Sequence, residues 1–318
     1  MVKTHRHISL SACPLCGQAA AVVASLLDRW RKALITVACA HCGLFRNDPL
    51  PTSEELRRFH EIDYRESYKG VRAPKARNVL RSARLAKHRF EQIGHRLPAG
   101  AQILDVGSGS GEWLAVLQKA GHQVCGVEPD PFYGEFARRE YGVQVETAGI
   151  LDLRRPEQSL DVITLFHVLE HLPDPLAALQ RFRGWLRPGG LLIIEVPNTN
   201  CRHQHPAGRF HPAHVIGFTK ESLDYAGRAA GWERIELSLG SYERNLLAVF
   251  RRPREDEALA PPSLPAALPA PLLTTPAAVF GYYFRPSTYL RWAARMVQFA
   301  SEWLALRGTN RSIPSPGA

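Results

Sequence analysis

Apolar positions between residues 101 and 251 follow two alternating patterns, short continuous runs and longer stretches with helical spacing. This alternation is typical of an α/β fold with a mostly parallel sheet and helices on both faces. The last two runs have no helix between them, so we expect a hairpin at the sheet edge. The short runs predict strands at residues 102–106, 123–127, 143–147, 160–166, 190–196, 232–238 and 245–251. The longer stretches predict helices at residues 111–120, 131–141, 174–186 and 219–230.

A further helix is predicted at residues 76–97, in a connector that spans residues 51–98. One face is basic and favours either a solvated surface or contact with a polyanion. Its apolar positions recur at helical spacing: Val79, Ala83, Ala86, Phe90, Ile93 and Leu97. The basic positions are Lys75, Arg77, Arg81, Arg84, Lys87 and Arg89.

The composition changes after Pro253. Residues 254–286 are rich in Pro, Ala and Leu, which predicts an extended linker. Residues 287–318 contain a predicted amphipathic helix at 287–307, and this helix can pack on the rest of the chain, on a partner subunit or on a membrane surface. The oligomeric state stays open. The predicted apolar stripe of the helix consists of Tyr289, Ala293, Met296, Ala300 and Trp303.

Two C-x-x-C turns, Cys13–Cys16 and Cys39–Cys42, stand 22 residues apart, and a glycine follows each turn. Four thiolates at this spacing predict a structural zinc site of the ribbon kind within residues 1–50. The stretches between them predict a small hairpin. Two reduced thiol turns without metal are the alternative. His41 lies between ligands, but the paired spacing favours Cys42.

A glycine-rich turn joins the first predicted strand of the α/β region to a helix that opens at Glu112. A strand, tight turn and helix in this order direct backbone N–H groups at a ligand. The turn reads Gly107-x-Gly109-x-Gly111, and Asp105 precedes it by two residues. A carboxylate there would repel a diphosphate but suits an ammonium or sulfonium group, and S-adenosylmethionine has both. Glu128, at the end of the next strand, can bind ribose hydroxyls.

Net charge is +10 and the sequence pI is about 9.6. This balance leaves nucleic acid, an anionic membrane surface and an acidic substrate open as partners, although a solvated basic surface also explains it. The first residues have no apolar signal-peptide core, and no apolar run is long enough to span a bilayer. We therefore expect a cytoplasmic protein with one main domain and a small accessory domain.

Several separate motifs within residues 99–253 resemble class I S-adenosylmethionine-dependent methyltransferases. They are the glycine turn at 103–111, the acidic loop at 127–129, the fourth strand and its loop at 161–172, and the turn at 187–190. The resemblance implies a Rossmann-like, doubly wound sheet and a methyltransferase domain over these residues. The cofactor-binding residues that it implies are Asp105, Gly107, Ser108, Gly109, Gly111, Glu128, Pro129, Gly149, Ile150, Phe166 and His167.

The cysteine turns, the Pro49/Pro51 turn, the Tyr64/Tyr68 segment and residues 210–219 resemble a bacterial subgroup with an N-terminal zinc ribbon. Proteins of this subgroup often act in polysaccharide or secondary-metabolite pathways, so the resemblance implies a small-molecule or glycan-type acceptor. The loop at 148–152 lacks the acidic residue that many relatives place directly after the glycine. Backbone groups or Asp152 would then bind the adenine amine.

Methyl transfer to an oxygen nucleophile gains from a general base, and histidine suits that task near neutral pH. His167 and His171 follow the fourth strand, at the carboxyl edge where ligands bind in such sheets. The loop at 201–219 starts from the same edge, so we expect it to form a lid. We predict His214 in this loop as the base, with His171 and His167 as the next candidates. Each histidine also has a structural interpretation, as a capping or packing residue.

Two other functions stay open at this point. The zinc ribbon, the basic helix and the net charge also fit an RNA methyltransferase, although no cluster of aromatic residues for base stacking is apparent. A non-catalytic binding module with the same fold is the other alternative, but the intact Asp105, glycine turn and Glu128 oppose it. The sequence decides neither the acceptor nor the choice among O-, N- and C-methylation.

Overall fold

The computed structural model describes residues 11–58, 74–150, 152–240, 243–265, 268 and 273–308. The Tyr64/Tyr68 segment lies outside these residues. The strands are β1 (Ala21–Leu27), β2 (Ala33–Cys39), β3 (Phe45–Asn47), β4 (Gln102–Val106), β5 (Gln123–Val127), β6 (Gln144–Glu146), β7 (Leu160–Phe166), β8 (Leu186–Pro197), β9 (Ile216–Gly217), β10 (Glu233–Leu239) and β11 (Asn245–Arg251). The α-helices are α1 (Ser53–Arg58), α2 (Ala76–Ile93), α3 (Glu112–Lys119), α4 (Pro131–Tyr141), α5 (Pro175–Trp185), α6 (Lys220–Ala229), α7 (Pro276–Tyr283) and α8 (Pro286–Gly308).

The central sheet has seven strands in the order β6-β5-β4-β7-β8-β11-β10. Strands β4 to β8 run parallel, whereas β11 runs antiparallel to β8 and β10 antiparallel to β11. The predicted Rossmann-like α/β fold and its edge hairpin are confirmed. The chain leaves β4 towards β5 and β6 and returns to the other side of β4 through β7. That reversal creates a crevice at the carboxyl ends of β4 and β7, where ligands bind in open α/β sheets.

Successive residues of β4 enter different cores because side chains alternate across a strand. Leu104 packs with Ile163, Leu179 and Phe182 on the face covered by α5 and α6. Ile103 belongs to a second core on the face covered by α2 and α3. Members of this second core include Ala86, Ile93, Trp113, Leu117, Val162 and Ile193. Helices therefore cover both faces, and the carboxyl edge of the sheet stays free for a site.

The N-terminal ribbon contains the predicted hairpin, because β1 and β2 pair antiparallel. Two further strands were not predicted: β3 pairs with β2, and β9, from the loop after β8, pairs with β3. Phe45 lies opposite Gly217 and Arg46 opposite Ile216. A Cβ at Gly217 would lie 3.0 Å from Cβ of Phe45 and 2.5 Å from Oγ1 of Thr199, so glycine allows this close approach.

The basic face predicted on α2 is solvated only in part. Arg89 is buried and binds Glu195, which contradicts a solvated position. Arg81 binds the buried Glu302 of α8, and the guanidinium of Arg77 lies 4.7 Å from the ring centre of Phe299. These contacts reduce the cationic surface that α2 can offer to a polyanion.

The C-terminal region differs from its prediction in two ways. Helix α7 occupies the end of the stretch 254–286, which we predicted as an extended linker. Helix α8 forms as predicted, but Tyr289, Met296 and Trp303 of its apolar stripe are 53%, 71% and 51% exposed. The helix instead buries polar residues, since Glu302 binds Arg81 and the Thr288 hydroxyl donates to the Tyr282 carbonyl. No helix among the described residues is long and apolar enough to cross a membrane.

Candidate active site

The glycine turn after β4 has the backbone that a close-approaching ligand requires. Gly107, Gly109 and Gly111 have φ angles of 76°, 56° and 89°, in the left-handed region that favours glycine. A Cβ at Gly107 would lie 2.4 Å from Val168, and one at Gly111 would lie 2.6 Å from Ala137. A Cβ at Gly109 would meet nothing within 4 Å, so the turn is open on this side.

Glu128 is held beside this opening by backbone amides. The N–H groups of Gly109 and Asp130 donate to its two carboxylate oxygens over 2.9 and 3.0 Å. The hydroxyl of Ser108 is buried, and the described residues supply no hydrogen-bond partner for it. A carboxylate oxygen can accept more than one hydrogen bond, so Glu128 keeps capacity for hydroxyl groups of a ligand. The turn, the orphaned hydroxyl and Glu128 thus fit the amino-acid and ribose parts of S-adenosylmethionine.

Asp105 lies deeper than the ligand contact that we expected. Its carboxylate is buried in the sheet and accepts a 2.6 Å hydrogen bond from the Thr164 hydroxyl. Burial raises the pKa of Asp105 to about 7, although the Thr164 hydrogen bond and Arg89 act in the opposite direction. A positive charge bound above the turn would favour the ionised carboxylate.

The remaining predicted cofactor residues lie at or near the same edge. Gly149 and Ile150 follow β6 and are half-buried, and Pro129 is an exposed residue directly after Glu128. Phe166, the last residue of β7, packs against Trp113, and the Arg89 guanidinium lies 4.0 Å from its ring centre. Phe166 therefore forms part of the core on the α2 and α3 face.

His167 follows β7 and has a backbone conformation that is rare for a residue with a side chain, with φ of 60°. Its N–H donates to the Glu195 carbonyl over 2.8 Å, and its Nε2 lies 3.1 Å from a Glu195 carboxylate oxygen. Nδ1 lies 3.4 Å from Glu170. Asn245 donates to the same Glu195 carboxylate. Strained backbone of this kind is concentrated at functional sites, where surrounding contacts hold it in place.

Arg89 and Glu195 complete a buried network that we did not predict from the sequence. The guanidinium donates two hydrogen bonds of 2.9 and 3.0 Å to the carboxylate. Burial alone would raise the pKa of Glu195, but His167 and Arg89 lower it to about 2. Burial alone would lower the pKa of His167, but Glu170 and Glu195 raise it to about 9. At neutral pH His167 is therefore an imidazolium between two carboxylates.

The sequence contained a weak signal for both residues. Glu195 is the only charged residue in the apolar strand segment 191–196, and an acid in a buried strand needs a partner. Arg89 stands three residues after the buried Ala86, so helical spacing places it beside the buried face of α2.

A cavity of about 350 Å³ opens at this edge of the sheet. The ends of β7 and β8, the start of β11, the ribbon and the loop at 201–219 enclose it. All three predicted catalytic histidines, His167, His171 and His214, line it, together with His211. The glycine turn and Glu128 are not among its lining residues. His167 thus directly follows β7, the neighbour of the strand that leads into the glycine turn, and it also lines the cavity.

His171, His214 and Glu170 form a compact cluster at this wall. The two rings are perpendicular with centres 5.0 Å apart, and Nδ1 of His171 donates to the Ala213 carbonyl over 2.8 Å. One oxygen of the buried Glu170 and one nitrogen of each ring lie within 4.8 Å of one another. Two imidazoles and a carboxylate are a donor set that suits divalent transition metals.

Burial lowers the pKa of His214 to about 3, although the charge of Glu170 acts in the opposite direction. His214 is therefore neutral at physiological pH and a weak base. Burial also lowers the pKa of His211, to about 4. The other two histidines of the loop serve to attach it: His203 bonds Ser287, and His205 lies against Tyr282 and Tyr283.

A family model described as a methyltransferase domain matches residues 76–237, about half of the chain. The chain belongs to this methyltransferase family. The match covers the glycine turn, Glu128 and the histidine loop, and it excludes the ribbon and the two C-terminal helices.

Named relatives agree with this assignment. The chain is 37% identical over 117 residues to the ubiquinone biosynthesis O-methyltransferase of Xanthomonas axonopodis pv. citri, covering 35% of this chain and 49% of that protein. It is 28% identical over 157 residues to a probable S-adenosylmethionine-dependent methyltransferase of Mycolicibacterium smegmatis, covering 48% and 59%. The chain thus spans about half the length of the curated relatives it matches.

Among solved structures, the chain is similar to the Burkholderia thailandensis 1,6-didemethyltoxoflavin-N1-methyltransferase, whose crystal structure contains bound 1,6-didemethyltoxoflavin and S-adenosylhomocysteine. The TM-score is 0.49 and the sequence identity 21%, over 69% of this chain and 96% of that chain.

Outside the methyltransferase domain, the ribbon brings its four predicted metal ligands together. The Sγ atoms of Cys13 and Cys42 lie 3.6 Å apart, as do those of Cys16 and Cys39, and all four lie within 4.8 Å of one another. Zn–S bonds of about 2.3 Å in a tetrahedral site place the sulfur atoms about 3.8 Å apart, so the cluster fits zinc. His41 is exposed and is not part of the cluster.

We predict one zinc ion per chain in the cysteine cluster, to be measured by elemental analysis of protein expressed with added zinc. Cys39→Ser should lose the metal and lower the unfolding midpoint, because a closed four-cysteine site contributes directly to folding. Cys125→Ser is the matched control, since Cys125 lies in β5 outside the cluster. Equal metal content in Cys39→Ser and the parent protein would contradict the prediction.

We predict that Glu195→Gln lowers the free energy of unfolding by about 3–5 kcal/mol, because it leaves the buried Arg89 without its counter-charge. Since the pKa of Glu195 is held near 2, below its ordinary value of 4.5, this stability is fully present above pH 4.5 and is lost as the pH falls through about 2. Denaturant titrations at pH 7 and below pH 4.5 measure this free energy for the parent protein and for Glu195→Gln. The difference between the two proteins should become smaller as the pH is lowered.

Glu236→Gln provides the comparison, because the Arg96–Glu236 pair is about one-third exposed. Its loss should cost about 0–1 kcal/mol. An equal loss of unfolding free energy in the two variants would mean that the Arg89–Glu195 pair does not behave as a buried ion pair and does not hold His167 in place.

Proposed function

We propose that this protein is an S-adenosylmethionine-dependent methyltransferase whose acceptor is a small molecule bound in the histidine-lined cavity. The observation that carries the proposal is the position of His167. It follows β7, which pairs with the strand that leads into the glycine turn, and it also lines the cavity. A cofactor bound at the turn and an acceptor bound in the cavity would then approach each other beside His167.

The residues that would hold the cofactor are the glycine turn, Ser108 and Glu128, with Asp105 beneath them. The segment after β6, with Gly149, Ile150 and Asp152, would be next to the adenine. When bound, S-adenosylmethionine supplies a methyl group that is already activated by its sulfonium centre. The protein then has to align two reactants and exclude water.

The loop at 201–219 is suited to the exclusion of water from the cavity. It is joined to the ribbon through β9 and to the C-terminal helices through His203 and His205, so one long loop becomes a supported wall of the cavity. We propose that this wall covers the acceptor as the predicted lid. Long loops at a ligand edge are more often functional than incidental.

Within the cavity we assign His214 as the group that takes a proton from the acceptor. Burial makes it neutral and weakly basic at pH 7, so the role requires that the buried Glu170 stabilise the imidazolium that forms, as a carboxylate does for the histidine of a catalytic triad. His171 is the second candidate, because its Nδ1 is engaged with the Ala213 carbonyl and its ring lines the cavity. His167 carries a proton at neutral pH, so its contribution would be positive charge near the reacting groups.

A hydroxyl-bearing, glycan-type acceptor is the more specific form of this proposal. The uncharged polar residues Asn198, Thr199, Gln204 and Asn245 in the cavity wall support it. An RNA acceptor has less support, because Arg81 and Arg89 of α2 are engaged within the chain.

We predict that Glu128→Ala weakens S-adenosylmethionine binding by about 1–3 kcal/mol, as expected when a charged hydrogen-bond acceptor is lost. Titration calorimetry measures the affinity, and circular dichroism checks the fold. Glu135→Ala, an exposed acid on α4, should leave the affinity unchanged. If both variants bind as the parent does, Glu128 is not part of the cofactor site.

We predict that His214→Ala lowers turnover by about 10²–10⁴-fold and leaves S-adenosylmethionine affinity intact, the usual contribution of a general base. Release of S-adenosylhomocysteine with a panel of phenols, sugars and sugar phosphates would identify an acceptor and report the rate. Since the base form of His214 exists above a pKa of about 3, this group should give no rise in rate between pH 6 and 8.

His95→Ala, an exposed histidine after α2, is the control and should keep full turnover. Full activity of His214→Ala on a proven acceptor would exclude His214 as the base. His171→Ala would then be tested by the same assay.

A further inference from the structure

The wall of the cavity is strongly cationic. Arg29, Arg46, Arg209 and Arg244 line it beside the four histidines, and in the part of the chain that the structure describes no aspartate or glutamate does so. The four arginines come from separate segments: the turn between β1 and β2, strand β3, the loop after β8, and the residue before β11. Because the four arginines come from separate segments and line one cavity, they indicate a specific anion-binding site and not a generally basic surface.

Arg46 is the most informative of the four. It is 1% exposed, and its Nη2 donates to the carbonyl of Ser11. Its Nε and Nη1 are buried with no hydrogen-bond partner, and it forms no ion pair with a carboxylate within the described ranges. Asp48, two residues further on, accepts hydrogen bonds from Ser11 through Oδ1, and its Oδ2 is also buried without a hydrogen-bond partner among the described residues.

A buried guanidinium with two unused donors is costly unless an anion compensates it. Buried polar atoms without a partner in a native fold therefore indicate a ligand, an ion or a water that completes them. The position of Arg46 is well defined, because β3 is paired on one side with β2 and on the other with β9. Arg46 thus belongs to a fixed part of the cavity wall.

We propose that these arginines form a binding site for a phosphate group of the methyl acceptor, with Arg46 at its centre. A phosphate carries about two negative charges and several acceptor oxygens, so it matches four converging cations better than a single carboxylate does. The inference rests on the proposed function, since it describes the substrate of the same cavity. It restricts the acceptor to a phosphorylated small molecule, and the histidine side of the cavity would contain the group that is methylated.

Binding of inorganic pyrophosphate to the zinc-loaded full chain tests the proposal. Titration calorimetry in the presence of S-adenosylmethionine should give saturable binding that weakens as salt is added. Arg46→Gln and Arg244→Gln should each weaken it about 10- to 100-fold, the usual effect of a lost charged hydrogen bond. Arg139→Gln, an exposed arginine on α4, is the matched control and should change the affinity less than twofold.

A stability measurement separates ligand binding from a structural role. An uncompensated buried charge is destabilising, so its replacement by an apolar residue of similar volume should not lower the free energy of unfolding. Arg46→Met should therefore unfold at the same or a higher temperature than the parent protein without ligand. Pyrophosphate should raise the unfolding temperature of the parent protein and leave that of Arg46→Met unchanged. A large destabilisation of Arg46→Met, with normal pyrophosphate binding by Arg244→Gln, would assign Arg46 a structural role and overturn the proposal.

Titration with acetate at matched ionic strength distinguishes a phosphate site from a carboxylate site. Arg46-dependent binding of acetate but not of pyrophosphate would overturn the phosphate site in favour of a carboxylate. Failure of both anions to bind, with normal S-adenosylmethionine binding, would overturn this inference alone. Arg46-dependent pyrophosphate binding by a chain that does not bind S-adenosylmethionine would overturn the proposed function and leave the anion site standing.

Discussion

The pairing of β3 with β9 joins two short segments that lie about 170 residues apart in the chain. Through it the ribbon sheet continues into the loop that carries His211 and His214, and Arg46 enters the cavity wall. Leu44 of the ribbon packs in one core with Ile216, Phe218 and Leu223 of the methyltransferase domain. The cysteine cluster therefore stabilises more than its own turns, because the cavity wall depends on the ribbon to which this loop is paired.

A second constraint is the separation of charge across the cavity. On one side, Arg89 and the cavity-lining His167 balance the carboxylates of Glu170 and Glu195 in a largely buried network. The other groups that line the cavity include four arginines and two histidines, His211 and His214, whose pKa values burial lowers. Because Glu195 accepts hydrogen bonds from three different elements, it holds the strained His167 in position. The same arrangement leaves His214 neutral beside the buried Glu170.

Much of the fold was predictable because it depends on local pattern. Hydrophobic spacing located the strands and helices of the α/β domain to within a few residues at most ends, and the C-x-x-C spacing identified the four thiols of the ribbon. The same reasoning failed for α7, which lies within a stretch rich in Pro and Ala, and for the exposed stripe of α8. In α8, the buried side carries Glu302, whose partner Arg81 stands 221 positions away in the sequence.

The sequence by itself determined the order of the elements, the glycine turn, the acid that follows the next strand and the set of candidate histidines. These follow from backbone preferences, strand and helix periodicity and motif spacing, which are properties of neighbouring residues. The tertiary structure alone decided that His167, His171 and His214 share one cavity with Arg46, and that Arg89 meets Glu195. These long-range contacts depend on sheet order and loop packing. A two-residue strand such as β9 has no periodicity to detect in the sequence, and the partner of a buried charge is determined only by the folded structure.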